Sequence, residues 1–213
     1  MRRLARRLES EGYSVDNTDY PSRTDRIEPL AFGVIERALE RSPQTRLPIH
    51  FVTHSMGGML VRAYLHRHKL DQLGRVVMLA PPNQGTEVVD YYNYHAPLLG
   101  RVLRTVLGPA SGQMRTDAEA LPARLGPANF ELGIIAGTVN RNPVFGPVIA
   151  RMPSDGIVPV ERTKLAGMSD FLTLPYTHTF IMDKPAVQDQ VVHFLRHGRF
   201  RREAAAALVS TPS

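Results

Sequence analysis

The sequence predicts an α/β fold, a mostly parallel sheet flanked by helices with a small cap. Three observations carry this. Apolar runs rich in β-branched residues, "LPIHFVTH", "RVVMLAPP" and "ELGIIAGTV", have the length and composition of buried strands. Stretches between and around them place apolar residues at the three-to-four spacing of helices. Strands alternating with helices in this way form parallel sheets covered on both faces.

The elements follow in order. Leu4 and Leu8 lie one helical turn apart among Arg2, Arg3, Arg6 and Arg7, so residues 2–10 read as a surface helix, stopped by Gly12. "YSVDNTDY" reads as a short strand. "IEPLAFGVIERALER" carries Ile27, Leu30, Val34, Ile35, Ala38 and Leu39 on one helical face. "LPIHFVTH" is the next strand, "GMLVRAYLHRH" a helix ending near Gly74, and "RVVMLAPP" a strand again. Residues of about 87–128 hold tyrosines, prolines, glycines and clusters such as "PLLGRVLRTVLG", too irregular for a simple crossover, and read as a cap over the sheet. "ELGIIAGTV" and "DFLTLP" are the last strands, and "AVQDQVVHFLRHG" is a closing helix with glycine at its end. The 213 residues suffice for one well-buried domain, expected over 1–200, with a C-terminal tail over 201–213 in which Ala204 to Ala207 continue a fraying helix.

Composition narrows the classes. No run approaches the roughly 18 apolar residues of a membrane span, so no integral membrane segment is expected. The first residues lack the apolar core of a signal peptide, which leads to a cytoplasmic expectation. There is no cysteine, hence no disulfide, thiol nucleophile or thiolate metal site. The net charge of +6 is densest in "MRRLARR" and "RHGRFRRE", but no aromatic residues alternate with the basic ones, and a nucleic-acid partner is not expected.

Chemistry concentrates in "FVTHSMGG". A serine at the tip of a strand-to-helix turn projects its hydroxyl from the sheet, and small residues two before and two after it let strand and helix approach. Gly57 meets the second requirement, Gly58 gives extra room, and Thr53 stands where glycine is usual. The same Ser55 would also serve as the N-cap of a helix beginning at Met56. A serine nucleophile needs a base, and the base an acid that holds its tautomer. Downstream, "PSDGIVPV" supplies Asp155 and "PYTHTFIM" supplies His178, each after a strand, where sites form in open α/β sheets. Asp155 would alternatively be a turn residue before Gly156. His54 reads as packing beside the site, His66 and His68 cannot face one point, and His193 and His197 lack the glutamate of a zinc-protease helix. Asp170 and Asp183 are the rival acids, the first beginning a strand and the second following the histidine.

Together "THSMGG", "LAPPNQGT", "SDGIVPV" and "YTHTFIM" resemble the lipase and esterase branch of the α/β-hydrolase superfamily, over nearly the whole chain from Met1 to Phe200. The resemblance implies Ser55 as nucleophile, His178 as base and acid, Asp155 as orienter and the Met56 N–H as one oxyanion donor. It also makes Asn83, Gln84 and Gly85 pocket-lining candidates. The implied activity is hydrolysis of a small-molecule or lipid ester without metal or organic cofactor. An acyltransferase would use the same residues, and a hydrolase-fold binding module would use none of them. In that family the helix resembling "MRRLARRLES" follows three strands and a loop that gives the second oxyanion donor. None of these is in the sequence, so the chain is expected to be N-terminally truncated and weakly active. "YSVDNTDY" and "LPIHFVTH" should then stand about two strand spacings apart, roughly 9.5 Å, or else close up and pair.

Overall fold

The structure, a computed structural model, describes residues 1–21, 23–42 and 46–202, excepting the side chains at 103, 104, 106 and 107. The expected alanine tail lies outside these. Four strands, β1 (Ile49–His54), β2 (Leu73–Leu79), β3 (Leu132–Gly137) and β4 (Asp170–Leu174), form one parallel sheet in the order β1-β2-β3-β4. Helices α1 (Arg2–Ser10) and α8 (Pro185–His197) cover one face, and α2 (Ile27–Arg41) and α3 (Met56–Arg67) the other.

The period-two geometry of a strand decides which side chain goes where. Val76 and Met78 of β2 join Leu132 and Ile134 of β3 beneath α2 and α3, among Ile27, Met59 and Leu60. Val77 and Leu79, with Ile135, face Leu4, Leu8, Val187, Val191 and Phe194 from α1 and α8. Both faces of β2 and β3 are therefore buried, which is why these strands read as continuous apolar runs instead of alternating ones. Each such side chain withdrawn from water contributes about 1.5–3 kcal/mol.

Two expectations are corrected. Residues 13–20 form no strand, and no backbone hydrogen bond joins them to β1 among the described residues. Instead the segment follows β1 through side chains: the Tyr13 ring stands edge-on to His50, 6.0 Å away, and the Tyr20 hydroxyl reaches the turn after β1 near Gly57. Asp16 is drawn outward by Arg41, whose Nε donates to it at 2.9 Å. β1, paired only with β2, is an edge strand of the described sheet. Second, α3 ends at Arg67, and Gly74 belongs to β2. A Cβ there would stand 2.6 Å from the His50 imidazole, whose Nδ1 accepts from the Arg75 N–H at 2.8 Å. This glycine makes room for a neighbouring strand's ring instead of stopping a helix.

The segment after β2 holds α4 (Glu87–Tyr94), α5 (Pro97–Leu107), a 3-10 turn (Pro109–Gln113) and α6 (Leu121–Arg124). It is tied to the sheet layer by Arg62 of α3, which is buried and donates to the carbonyls of Asn83, Pro122 and Gly126 at 2.7, 2.9 and 2.9 Å. Burial lowers its pKa to about 10, which still leaves it charged at neutral pH. A short α7 (Val160–Thr163) lies between β3 and β4. Arg62→Met removes all three donors and strands three acceptors. It is expected to cost about 3 kcal/mol or more, a fall in Tm on the order of 10 °C by thermal melt, with Lys a poor substitute because one amine cannot span the three carbonyls.

Candidate functional site

Ser55 sits between β1 and α3 with φ 53 and ψ −125, a left-handed conformation that costs a non-glycine residue of order 1–3 kcal/mol. Its N–H donates to Leu79 O at 2.8 Å, so the bend is anchored on the neighbouring strand. The Ser55 side chain makes no capping bond to α3. Instead Oγ lies 2.9 Å from Nε2 of His178, and His178 Nδ1 lies 2.7 Å from Oδ2 of Asp155. A ring nitrogen facing a carboxylate carries the proton, so Nδ1–H donates to Asp155, Nε2 is the acceptor, and the Ser55 hydroxyl donates to it.

Close approach at the bend falls mainly on Gly58. A Cβ there would meet Met78 Sδ at 3.0 Å and Pro81 Cβ at 3.2 Å, whereas one at Gly57 would find Thr53 Cβ at an ordinary 3.4 Å. Thr53 is itself buried, and its Oγ1 finds no partner among the described residues. Met56, the first residue of α3, has a backbone N–H without an acceptor among the described residues, as the first turn of a helix leaves it.

Asp155 is buried, and all of its carboxylate is engaged: Oδ1 accepts from Ile157 N at 3.0 Å and Val158 N at 2.8 Å, while Oδ2 serves His178. The His178 N–H in turn donates to the Asp155 carbonyl at 3.1 Å. This turn fits against Gly137, at the end of β3, where a Cβ would lie 2.4 Å from Tyr176 O and 2.8 Å from Asp155 Cβ. Residue spacing does not single out Gly137; its only signal is a glycine ending a strand of β-branched residues. The rival Asp170 is engaged elsewhere, by Phe200 N and Arg202.

His54 donates from Nε2 to His178 O at 2.9 Å, and the two rings stand 4.8 Å apart. Burial, then the neighbouring His178, pushes its pKa down to about 4, with the chain's first amino group a smaller cause in the same direction. The remaining predicted residues serve the loop. Asn83 is buried, giving Nδ2 to Thr163 O and its carbonyl to Arg62. Gln84 donates from Nε2 to the carbonyls of Glu161 and Lys164. Gly85, at φ +78, has no space for a Cβ, which would fall 2.1 Å from Arg115 O.

A cleft of about 340 Å³ opens beside this loop, with Arg62, Asn83, Gln84, Arg115, Arg162 and Lys164 in its wall. Neither Ser55, Asp155 nor His178 lines it. Its cations are answered in place, Arg162 by Glu87, Arg115 by Asp117 and Lys164 by Glu161, so the cleft is a seam between loops and Ser55, Asp155 and His178 lie outside it. Among the described residues no three His, Asp or Glu side chains converge as metal ligands.

No protein-family model matches the chain, and no curated protein does. Solved structures do. The propeptide form of the Bacillus licheniformis lipase BlEst2 superposes with a TM-score of 0.65 at 21% identity, covering 95% of this chain and 48% of that one. The metagenomic carboxyl esterase MGS0156 gives 0.64 at 19%, over 84% and 58% of the two chains. Phospholipase PlaB from Legionella pneumophila gives 0.60 at 17%, over 76% and 41%. The chain thus spans roughly half the length of these three. All have the α/β-hydrolase fold, and so does this chain.

Two outcomes follow from the geometry. Gly137→Ala is expected to lower any turnover that depends on His178 by tenfold or more while leaving the protein folded, because the added methyl displaces the Tyr176 carbonyl and Asp155 together; steady-state kinetics beside a thermal melt checks it. His54 takes up a proton near pH 6.5 when unfolded but only near 4 when folded. Its contribution is therefore intact above pH 6.5 and lost as pH falls from 6.5 towards 4, a change of roughly 3 kcal/mol. Melts across this window should show His54→Gln losing less stability on acidification than the parent chain.

Proposed function

We propose that this chain hydrolyses carboxylic esters through a covalent acyl-enzyme on Ser55. The observation that carries this reading is the unbroken line of hydrogen bonds from Ser55 Oγ through His178 to Asp155, with Ser55 held off the helix it would otherwise cap. In this reading Ser55 Oγ attacks the ester carbonyl carbon as its proton passes to Nε2 of His178. Asp155 keeps Nδ1 protonated and offsets the imidazolium charge. The Met56 N–H, without another acceptor, donates to the oxyanion. His178 then gives its proton to the leaving alcohol. Water, deprotonated by His178 in turn, attacks the acyl-enzyme and releases the acid with Ser55 restored.

His54 positions the base by holding the His178 carbonyl, and it does so uncharged above about pH 4, so it does not add a second cation beside the imidazolium. Asn83, Gln84 and Gly85 serve this reading as framework, holding their loop to α3 and to residues 161–164. The likeness to lipases and esterases supports an ester as substrate, as a matter of fold. Hydrolysis of a short activated ester tests the reading together with a fluorophosphonate probe, which labels an activated serine. Labelling of the parent chain and none of Ser55→Ala is expected. Ser55→Ala should fall to background turnover and Asp155→Asn should keep a measurable remainder, since a misoriented histidine still functions in part. A parent chain left unlabelled, or Ser55→Ala retaining turnover, sinks the assignment.

A further inference from the structure

Apolar side chains on the outside of α4 and α5 are largely left in water, although the Tyr91 ring also meets Tyr92 and His95. Tyr91 and Tyr94 of α4 are 41% and 63% exposed, and Leu98, Leu99 and Val102 of α5 are 78%, 48% and 57% exposed. α5 turns Gly100 inward and these three outward. The loop between β3 and Asp155 packs against α4, where the Tyr92 hydroxyl donates to Val144 O and its ring meets Phe145 edge-on at 5.9 Å. That loop adds Val144, 54% exposed, to the same region.

The charge of this surface narrows the class of partner that fits it. From Tyr91 to Arg115 the chain holds no Asp or Glu, and from Val139 to Ser154 it again holds none, while both stretches carry arginines. Arg101, Arg141 and Arg151 are exposed, and none forms an ion pair among the described residues. The acids of α4, Glu87 and Asp90, are engaged by Arg162 and Thr116, and the remaining combination of leucine and valine, tyrosines and unpaired arginines matches the layers of an anionic bilayer surface. There apolar side chains enter the acyl boundary, tyrosines sit among headgroups, and guanidinium groups meet phosphates. A second copy docked face to face would bring the same arginines together, and like charges there oppose it.

We propose that α4, α5 and the adjoining loop dock on an anionic lipid surface. This docking does not depend on the role of Ser55. The test is sedimentation of the full chain with phosphatidylcholine vesicles, with and without phosphatidylserine. Binding at least tenfold stronger to the anionic vesicles, and weakened by salt, is expected. The double variant Leu98→Asp, Leu99→Asp and the separate double variant Arg101→Glu, Arg141→Glu should each lose it while melting like the parent, since all four positions are exposed. Ser55→Ala should bind as the parent does, so loss of esterase activity and loss of docking are read apart. Absence of binding to either vesicle overturns the proposal. So does equal, salt-insensitive binding to both, or a dimer in light scattering that the Leu98→Asp, Leu99→Asp variant dissolves.

Discussion

The left-handed backbone of Ser55 is the constraint on which the rest depends. A residue kept at φ 53 stays there only if its surroundings overdetermine it, and each surrounding element contributes one restraint. β2 accepts the Ser55 N–H at Leu79, the missing Cβ of Gly58 lets α3 close on Met78 and Pro81, and His178 takes the hydroxyl. The same device recurs one strand along. Ala80, at φ 50, ends β2 and gives its N–H to Ile135 of β3. Two adjacent strands thus finish in a left-handed residue tied to the next strand, and the sheet fixes where both chains turn. A hydroxyl aimed by backbone strain within a sheet is better placed than one carried on a free loop.

How much of this was legible in the sequence depends on the range of the forces involved. α1 and α2 run over the residues that their apolar spacing marks, since a helix satisfies its own backbone and needs only one apolar face. The strands leading to Ser55 and beyond were legible because burial on both faces leaves uninterrupted apolar runs. "YSVDNTDY" misleads because a strand exists only with a partner, and nothing in those residues reveals whether one stands alongside. Gly74 misleads for the opposite reason: its requirement is set by His50, twenty-four positions away. Gly137 is invisible for the same cause, its constraint arising from Tyr176 and Asp155 across two loops. Ser55, His178 and Asp155 could be named because their chemistry limits the residue types, whereas Asn83 and Gln84 could not be separated into contact or framework until their partners were seen.

Buried and half-buried polar groups here are handled in three ways, and the differences set their roles. Arg62 stays charged and is answered by carbonyls, so its contribution lies in joining α3 to the segment over the sheet. His54 gives up its charge and keeps one hydrogen bond, which suits a group that must sit 4.8 Å from another imidazole without repelling it. Asp155 has every carboxylate contact filled by an N–H, two from its own turn and one from His178. An acid held by its own turn resists displacement, and that favours a fixed imidazole over a mobile one.

This last point decides how the outer face and the inner site can communicate. α4 is joined to the Asp155 turn, for Thr86, its N-cap, donates to Ile157 O at 2.6 Å, two residues from the carboxylate. Tyr92 joins the same helix to the loop that leads into that turn. Contact alone does not establish coupling; a transmitted signal requires an element with two arrangements. The Asp155 turn is a poor candidate, since shifting it would strip two backbone bonds from a buried carboxylate at about 1–3 kcal/mol each. α5 meets no such obstacle, having Leu98, Leu99 and Val102 in water. Whatever engages that helix therefore leaves the geometry of His178 and Asp155 as it is. Under the proposed ester hydrolysis, changes at Gly137 or Asp155 therefore belong in turnover.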